Sequence, residues 1–398
     1  MNQLSDRTLG DLLRAADSSP ADTLPCVIQE VLTYAGVRNV ALYLSDYEET
    51  LLRPAPGSRN SDGRPVTYDV DGTLPGVCLS ERRLTEAPDG SCVWAPVVER
   101  ADPLGVLELG FDVLDEEKRR LAIDAGIMVG HLLVTARKYT DVYELLRRRR
   151  DMNLAAEMHW EILPATHYFG PGVNVCGDLE PAYEVGGDAF DYCLNERTLN
   201  VAILDAMGHG LEAALLSTQA VGAYRYARRR RQSLVDTASI IEEALLQQFA
   251  GDKFVTGLLS QLDLATGSFR WIAAGHVAPL LVRDGRVREL ADAPLLCPMG
   301  LDVLGDVQGA ETELQEGDRV IFYSDGVIEA RAPGGEYLEL ERLVELIELA
   351  DHERGVDELV HGLIHEVVLH STGPLRDDAT VVGVEYLGPG GHWGPPDA

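Results

Sequence analysis

Five aspartates sit where apolar runs give way to small or turn-forming residues. Asp188 closes Val185-Gly-Gly-Asp188. Asp205 ends Ile203-Leu204-Asp205 and leads into Ala206-Met-Gly-His-Gly210. Asp325 follows Phe322-Tyr-Ser324 and precedes Gly326, and Asp377-Asp378 stand ahead of Ala379-Thr380. A strand end fixes the position of its side chain, and small neighbours let a ligand approach the backbone. Carboxylates converging without a matching set of Lys or Arg repel one another, and divalent cations relieve that repulsion. An all-oxygen donor set suits Mg²⁺ or Mn²⁺, whereas zinc would ask for Cys or His.

An Asp before Gly is most often a turn former, and that reading suits Asp284-Gly285 and Asp71-Gly72. It fails for Asp205 and Asp325, each of which ends a strongly apolar run. Asp191, three residues after Asp188, reads equally as a capping or surface residue and as a ligand. His209 is a candidate general acid, although its place reads better as a helix N-terminal residue. His276, in the turn Ala274-Gly-His, reads as structural. His361, His365 and His370 share a helical face only loosely. With no Cys partner and no H-E-x-x-H pattern, no zinc site is expected there.

These residues need a frame, and 398 residues suggest two to three domains. Residues 1–20 are polar, a tail or a short helix. Residues 21–114 mix helix and strand: Val27 to Tyr34 reads as a helix, and Val40–Leu44, Cys92–Val98 and Gly105–Phe111 as strands. Residues 115–164 hold no Pro before Pro164 and no turn cluster, and read as one long helix or two in series. Leu132, Ala136, Tyr139, Tyr143 and Leu146 form a seam that would pair two chains as a coiled-coil-like homodimer. Arg147 to Arg150 interrupt it and read as a solvated helix face. Residues 165–387 carry recurring strand-like runs with interspersed helices, an α+β sandwich. Residues 388–398 are rich in Gly and Pro and read as a disordered tail.

The charge is strongly acidic, 65 Asp and Glu against 34 Lys and Arg, a net of −31. Nucleic-acid phosphates and anionic membrane surfaces both need a basic face, so neither is an expected partner. No apolar run reaches the 18 residues or so needed to span a bilayer. The six cysteines are scattered without a C-x-x-C pair. That usage, and a polar N-terminus without a signal pattern, suggest a reducing, cytoplasmic setting.

The order Gly-Gly-Asp188, then Asp205-x-Met-Gly-x-Gly210, Ala274-Gly-His-x-x-Pro279-Leu-Leu, Gly317-Asp-Arg to Ser324-Asp-Gly-Val-x-Glu-Ala330, and Arg376-Asp-Asp-Ala-Thr380 resembles the SpoIIE/RsbU branch of the metal-dependent protein serine/threonine phosphatases, the PPM family, over roughly residues 154–386. Ile162-Leu-Pro164 resembles that branch's entry segment. Residues 21–114 resemble a GAF-type sensor domain. Together the resemblances imply an α+β protein: a GAF-like α/β sensor domain, a helical linker, and a PPM-type β-sandwich flanked by helices. They imply a phosphatase acting on phosphoserine or phosphothreonine in a partner protein, such as an anti-sigma-factor antagonist, with two Mn²⁺ or Mg²⁺ ions. Asp205 would bridge both ions with the Ala206 carbonyl completing one sphere. Asp188 would hold a metal directly or through water, Asp325 and Asp377 would hold the second ion, and Asp378 would orient its neighbour or add a ligand. Asp205 and Asp325 would be the catalytic pair. The eukaryotic relatives grip the phosphate with an Arg ahead of the Gly-Gly-Asp motif, and here none is close enough. Two alternatives stand beside this reading: a partner-switch pseudophosphatase that binds without turnover, and a scaffold whose sensor domain is the working part.

Overall fold

The computed structural model describes residues 3–60, 63–180, 186–294, 296–305, 307–350, 354–371, 375 and 377–391. The chain forms two compact units that divide between Asp151 and Met152.

The first unit begins with α1 (Gln3–Asp17) and α2 (Leu24–Thr33), followed by β1 (Val37–Ser45), β2 (Leu51–Pro54) and β3 (Tyr68–Asp69). After α3 (Leu74–Glu81) come β4 (Thr85–Glu86), β5 (Cys92–Glu99) and β6 (Asp102–Phe111). Helices α4 (Glu116–Ala136) and α5 (Val142–Arg147) close the unit. The strands make one antiparallel sheet in the order β3-β2-β1-β6-β5-β4. Both faces of β1 are covered, so its sequence is continuously apolar rather than alternating. Val40, Leu42 and Leu44 pack with the α1, α2 and α4 core, while Ala41 and Tyr43 join a smaller cluster with Cys78 and Leu79 of α3.

Of the two readings of the N-terminal segment, the helix is the one observed: residues 3–17 are a 15-residue helix whose Leu12 is fully buried. One expectation is corrected in this unit. Residues 115–164 are not one or two long helices. They break after Ala136 and again after Arg147, and a third helix, α6 (Leu154–Ile162), opens the second unit. The reason is tertiary. Leu132, Ala136 and Tyr143 are buried in the first unit's own core. The Tyr143 hydroxyl donates to the Ala21 carbonyl (2.9 Å) and accepts from the Leu24 N–H (3.2 Å), which pulls the chain back towards α2. The arginines are not a free helix face either: Arg147 Nε donates to the Ser45 carbonyl (3.0 Å), and Arg149 pairs with Glu48. The seam expected to pair two chains is therefore spent within one.

It follows that Leu132→Glu should unfold the first unit rather than dissociate a dimer. The cost is about 3 kcal/mol or more, because a charge would be buried without a partner. Tyr139→Glu, at a position 78% exposed, should leave stability unchanged. Urea unfolding of both variants checks this, and equal destabilisation would contradict the packing described.

The second unit continues with β7 (His167–Gly170), β8 (Val173–Glu180), β9 (Asp188–Asn195) and β10 (Thr198–Ala206). Helices α7 (Leu211–Arg229) and α8 (Leu234–Phe249) precede β11 (Val255–Asp263), β12 (Ser268–Ala274), β13 (Leu280–Arg283), β14 (Arg286–Glu289), β15 (Ala310–Glu313) and β16 (Arg319–Tyr323). The short α9 (Asp325–Ile328), then α10 (Glu339–Leu349), α11 (Val356–Ser371) and β17 (Ala379–Tyr386) complete it. Two antiparallel sheets, β15-β12-β11-β10-β9 and β14-β13-β16-β17-β8-β7, face each other. Their inner faces meet in a core containing Phe190, Val201, Ile203, Trp271, Phe322 and Val382. Helices α7 and α8 cover one outer face, and α10 and α11 the other. Two sheets between two helical layers are a β-sandwich flanked by helices.

Side-chain parity then sets which residues reach the sandwich interior. Along β10, Leu199, Val201 and Ile203 point inward and Ala202, Leu204 and Ala206 towards the helices. Asp205 shares the inward parity.

Candidate metal centre

The inward parity converges at one end of the sandwich. Asp205 is in register with Asp188 of β9 on one side and Thr256 of β11 on the other. From the opposite sheet, Asp325 opens α9 directly after β16, and Asp377-Asp378 immediately precede β17. The ends of β16 and β17 are tied through Ser324: its N–H donates to the Thr380 carbonyl (3.0 Å), its hydroxyl to the Asp378 carbonyl (3.2 Å), and it accepts from the Thr380 N–H (3.0 Å). Thr380 crosses the sandwich, its hydroxyl donating to Asp188 Oδ2 at 2.7 Å. All five aspartates singled out by sequence are thus brought to one place by four strands and a helix start.

The aspartates are not equivalent. Asp188 and Asp378 are buried, at 3% exposure each, Asp205 is half-buried, and Asp325 and Asp377 are exposed. Asp378 does most of its hydrogen bonding to backbone. Both of its oxygens accept from the Gly186 N–H (2.7 Å each), and Oδ2 also accepts from the Asp188 N–H (3.2 Å). It holds the Gly186-Gly187-Asp188 segment in place. Two glycines are needed for contact rather than for flexibility. A Cβ on Gly187 would lie 2.0 Å from the Ala206 carbonyl oxygen, and one on Gly326 would lie 2.0 Å from the Asp378 carbonyl oxygen. Side chains at either position would push apart the elements that carry the carboxylates.

Electrostatics show what the arrangement lacks. Burial first, and then the charges of Asp205 and Asp378, push the Asp188 carboxyl well above the usual range. Burial, with Asp325 and Asp377 behind it, pushes Asp205 up to about 7. Burial raises Asp325 as well, helped by Asp377 and Glu329. Asp378 is pushed up to about 7, again chiefly by burial. Among the described residues no Lys or Arg is hydrogen-bonded or ion-paired to any of the five. Such a cluster is a poor place for protons to be lost and a good place for hard cations, which supply the missing charge. The donors on hand are all oxygen, so the residues fit Mg²⁺ or Mn²⁺.

The remaining sequence candidates fall outside this cluster or support it. Asp191 is buried and paired with Arg225 (2.6 Å) and Arg228 (3.3 Å), anchoring α7 to β9, and its ligand reading is corrected on that ground. His209 is exposed on the turn before α7. His276 is buried, with Nε2 donating to the Tyr323 carbonyl (3.1 Å) and Nδ1 3.1 Å from the Thr256 hydroxyl. That hydroxyl lies 3.4 Å from Asp205 Oδ2. Burial lowers the His276 pKa to about 4, so the ring is neutral and positions Thr256 beside Asp205. Sequence reading missed Thr256, because a Thr at a strand end carries no motif of its own, and it quoted Thr380 only as the end of the Arg376–Thr380 motif, without a role. It also missed Arg331, which lines a cleft of about 380 Å³ together with Gly326, Glu329, Pro333, Leu375 and Asp377. Its guanidinium stacks 4.5 Å from the Tyr337 ring centroid and hydrogen-bonds to the same residue's hydroxyl.

Comparison with known proteins agrees with this geometry. Residues 195–387 match the family described as Stage II sporulation protein E (SpoIIE). That match includes Asp205, Asp325, Asp377 and Asp378 and begins after Asp188. The chain is 25% identical over 212 residues to the phosphoserine phosphatase RsbU of Bacillus subtilis, covering 51% of this chain and 60% of that protein. It is 24% identical over 196 residues to the phosphoserine phosphatase RsbP of the same organism, covering 47% of each. A crystal structure of the RsbU and RsbW domains of a Mycobacterium tuberculosis protein shares the fold, with a TM-score of 0.50 and 24% identity over 56% of this chain and 63% of that one. The chain therefore spans less than two thirds of the length of each of these relatives. No helix among the described residues is long and apolar enough to cross a membrane.

Proposed function

Because residues 195–387 carry a domain of the SpoIIE/RsbU branch of the metal-dependent protein serine/threonine phosphatases, we propose that this protein hydrolyses phosphoserine or phosphothreonine on a partner protein. The observation that carries the reading is the convergence of Asp188, Asp205, Asp325, Asp377 and Asp378 at one end of the sandwich with no cationic counterpart among the described residues. In this reading Asp205 would serve both Mn²⁺ or Mg²⁺ ions, with the Ala206 carbonyl and Asp188 as further ligands and Asp325 and Asp377 as holders of the second ion. A bound metal pair supplies an activated water and neutralises charge on the phosphoryl oxygens. The chain's own contribution is placement. Asp378 holds the Gly186–Asp188 segment and Thr380 orients the Asp188 carboxylate, while neutral His276 takes the Thr256 hydroxyl hydrogen on Nδ1 and fixes that side chain beside Asp205.

The substrate in this reading is a folded phosphoprotein, an anti-sigma-factor antagonist by family resemblance, and the setting is cytoplasmic. The cleft beside Asp377 supports it, because Arg331 offers there the guanidinium that is missing ahead of Gly186, and Arg is the side chain best shaped to hold a phosphate. Input comes from the first unit acting as a GAF-like sensor. Its six-stranded sheet, with α3 on one face and the remaining helices on the other, supports that assignment.

Release of phosphate from a phosphoserine peptide tests the reading. The full chain should be inactive in excess chelator and recover with Mn²⁺ or Mg²⁺, but not with Zn²⁺ alone. Turnover that survives exhaustive chelation would rule out the metal-dependent mechanism, and absence of turnover with Mn²⁺ bound would favour the pseudophosphatase.

A further inference from the structure

We propose that His167, Cys176 and His361 form a second metal site, specific for a zinc-like divalent transition metal, with Asp178 orienting His361. The site is independent of the aspartate cluster. It corrects the expectation that His361 has no cysteine partner: the partner comes from a strand 185 residues away in sequence.

The fold assembles it from three elements. His167 of β7 and Cys176 of β8 are direct register partners on adjacent antiparallel strands, so their side chains leave the sheet on the same face. Asp178, two residues along β8, shares that face. The face is covered by α11, which brings His361 over the pair. His167 Nε2 lies 3.2 Å from His361 Nε2, and Cys176 Sγ lies 4.0 Å from His361 Nε2. The three donor atoms all fall within 4.8 Å of one another. Tetrahedral zinc, with Zn–N about 2.0–2.1 Å and Zn–S about 2.3 Å, spaces N from N by about 3.3 Å and N from S by about 3.6 Å. The two spacings to His361 Nε2 need only a few tenths of an ångström of adjustment.

The outer contacts point the same way. His361 Nδ1 lies 2.8 Å from Asp178 Oδ2. An ionised carboxylate only accepts, so Nδ1 carries a hydrogen; against the opposing effect of burial, Cys176 and Asp178 hold the metal-free His361 imidazole well above its ordinary range, and on giving up the Nε2 proton the ring turns a lone pair towards His167 and Cys176. His167 Nδ1 is likewise engaged, 2.9 Å from the Thr166 hydroxyl, which leaves its Nε2 facing His361. A ligating histidine whose far nitrogen is held by a carboxylate is the usual outer-shell arrangement of zinc proteins. His167 and Cys176 are buried at 1% and 0% exposure, while the His361 side chain is 37% exposed. A fourth position is therefore open to water from the α11 side. The N₂S donor set selects zinc, copper or nickel over magnesium and manganese, the opposite preference to the aspartate cluster. An ion here would staple α11 to the β7-β8 hairpin. It would do so beside β17, where Val381 pairs with Asp178 and the preceding Thr380 holds Asp188. Binding displaces into solvent the proton that Cys176 and His361 share, as the metal–sulfur bond forms.

Cobalt(II) titration of the metal-stripped full-length protein tests the proposal, because thiolate-to-cobalt charge transfer gives a near-ultraviolet band that an all-oxygen site cannot produce. One equivalent of Co²⁺ should generate the band, and Zn²⁺ should bleach it. Cys176→Ser should abolish it with circular dichroism unchanged, and Asp178→Asn should weaken Co²⁺ binding about 10–100-fold. His361→Gln, at a part-exposed helical position, repeats the test should the buried Cys176→Ser variant misfold; it should lose the band while α11 remains folded. Absence of a band in folded wild-type protein would show a metal-free imidazole–thiol cluster and overturn the proposal. So would a band that persists in folded Cys176→Ser or His361→Gln, since another cysteine would then be its source.

Discussion

Asp205→Asn should lower Mn²⁺-dependent hydrolysis of a phosphoserine peptide by a factor on the order of 10³, about 4 kcal/mol of transition-state stabilisation. The variant keeps the size and shape of the side chain and removes one negative charge from the residue proposed to touch both ions. The same substitution has a second, opposite signature. In the metal-free protein the Asp205 charge is one of the influences that hold Asp188 well above the ordinary carboxylate range. Neutralising it relieves that repulsion, so metal-free Asp205→Asn should melt at a higher temperature than metal-free wild type at pH 8. It should also gain little or nothing from added Mn²⁺. A merely structural aspartate would lose stability on substitution and leave the Mn²⁺ response intact. Retention of more than a tenth of wild-type activity, or a lower melting temperature without metal, would remove Asp205 from the centre of the site.

The acidic cluster should make the metal-free wild type less stable as pH rises from 5 to 8, read as the difference from Asp205→Asn/Asp378→Asn so that the opposite contribution of buried His276, lowered to about 4, cancels. The carboxyls of Asp205 and Asp378 are each pushed up to about 7 in the folded protein, against about 3.9 for an unfolded aspartate. Between those values the native state binds more protons than the unfolded state, so the slope of stability against pH is negative. The penalty is absent below about pH 4, grows through the interval, and is complete above pH 7. Asp205 is only half-buried, so the sum is discounted to about 2–4 kcal/mol, or roughly 5–10 °C in Tm for a unit of this size. Saturating Mn²⁺ at pH 8 should restore the loss, because the ions replace the protons as counter-charge and bind the native state alone. Thermal unfolding at pH 5, 6.5 and 8, with and without Mn²⁺, checks the prediction. A melting-temperature difference between metal-free wild type and Asp205→Asn/Asp378→Asn that does not turn against wild type as pH rises would contradict the electrostatics described for the cluster.

How much of this could be read from residues alone differs from element to element. The strands that carry Asp205 and Asp325 were legible because they are central and covered on both faces. Val201–Leu204 and Val320–Tyr323 are continuously apolar, and the observed strands are Thr198–Ala206 and Arg319–Tyr323. Helix α8 begins at a local signal, Ser233 capping it by accepting from the Asp236 N–H. The five aspartates were identifiable because each sits at the junction of an apolar run and a turn, a pattern local in the chain.

What needed the tertiary structure is whatever depends on distant residues meeting. The segment 115–164 looks helical throughout, and nothing local announces that burial of Leu132, Ala136 and Tyr143 in the first unit breaks it twice. The short edge strands β14 and β15 and the hairpin β7-β8 lack the length to register as periodic. Yet that hairpin puts His167 opposite Cys176, and α11 brings His361 to both. Asp378 looked like a ligand or an aide to its neighbour. The fold turns its carboxylate to the Gly186 and Asp188 amides, almost two hundred residues earlier in the chain. Sequence alone therefore singled out the five aspartates and the elements on which they ride, because propensity and hydrophobic period act over a few residues. Partners, protonation and burial were decided only by the closing of two sheets on one another, because electrostatic and packing energies depend on separation in space and are indifferent to separation along the chain.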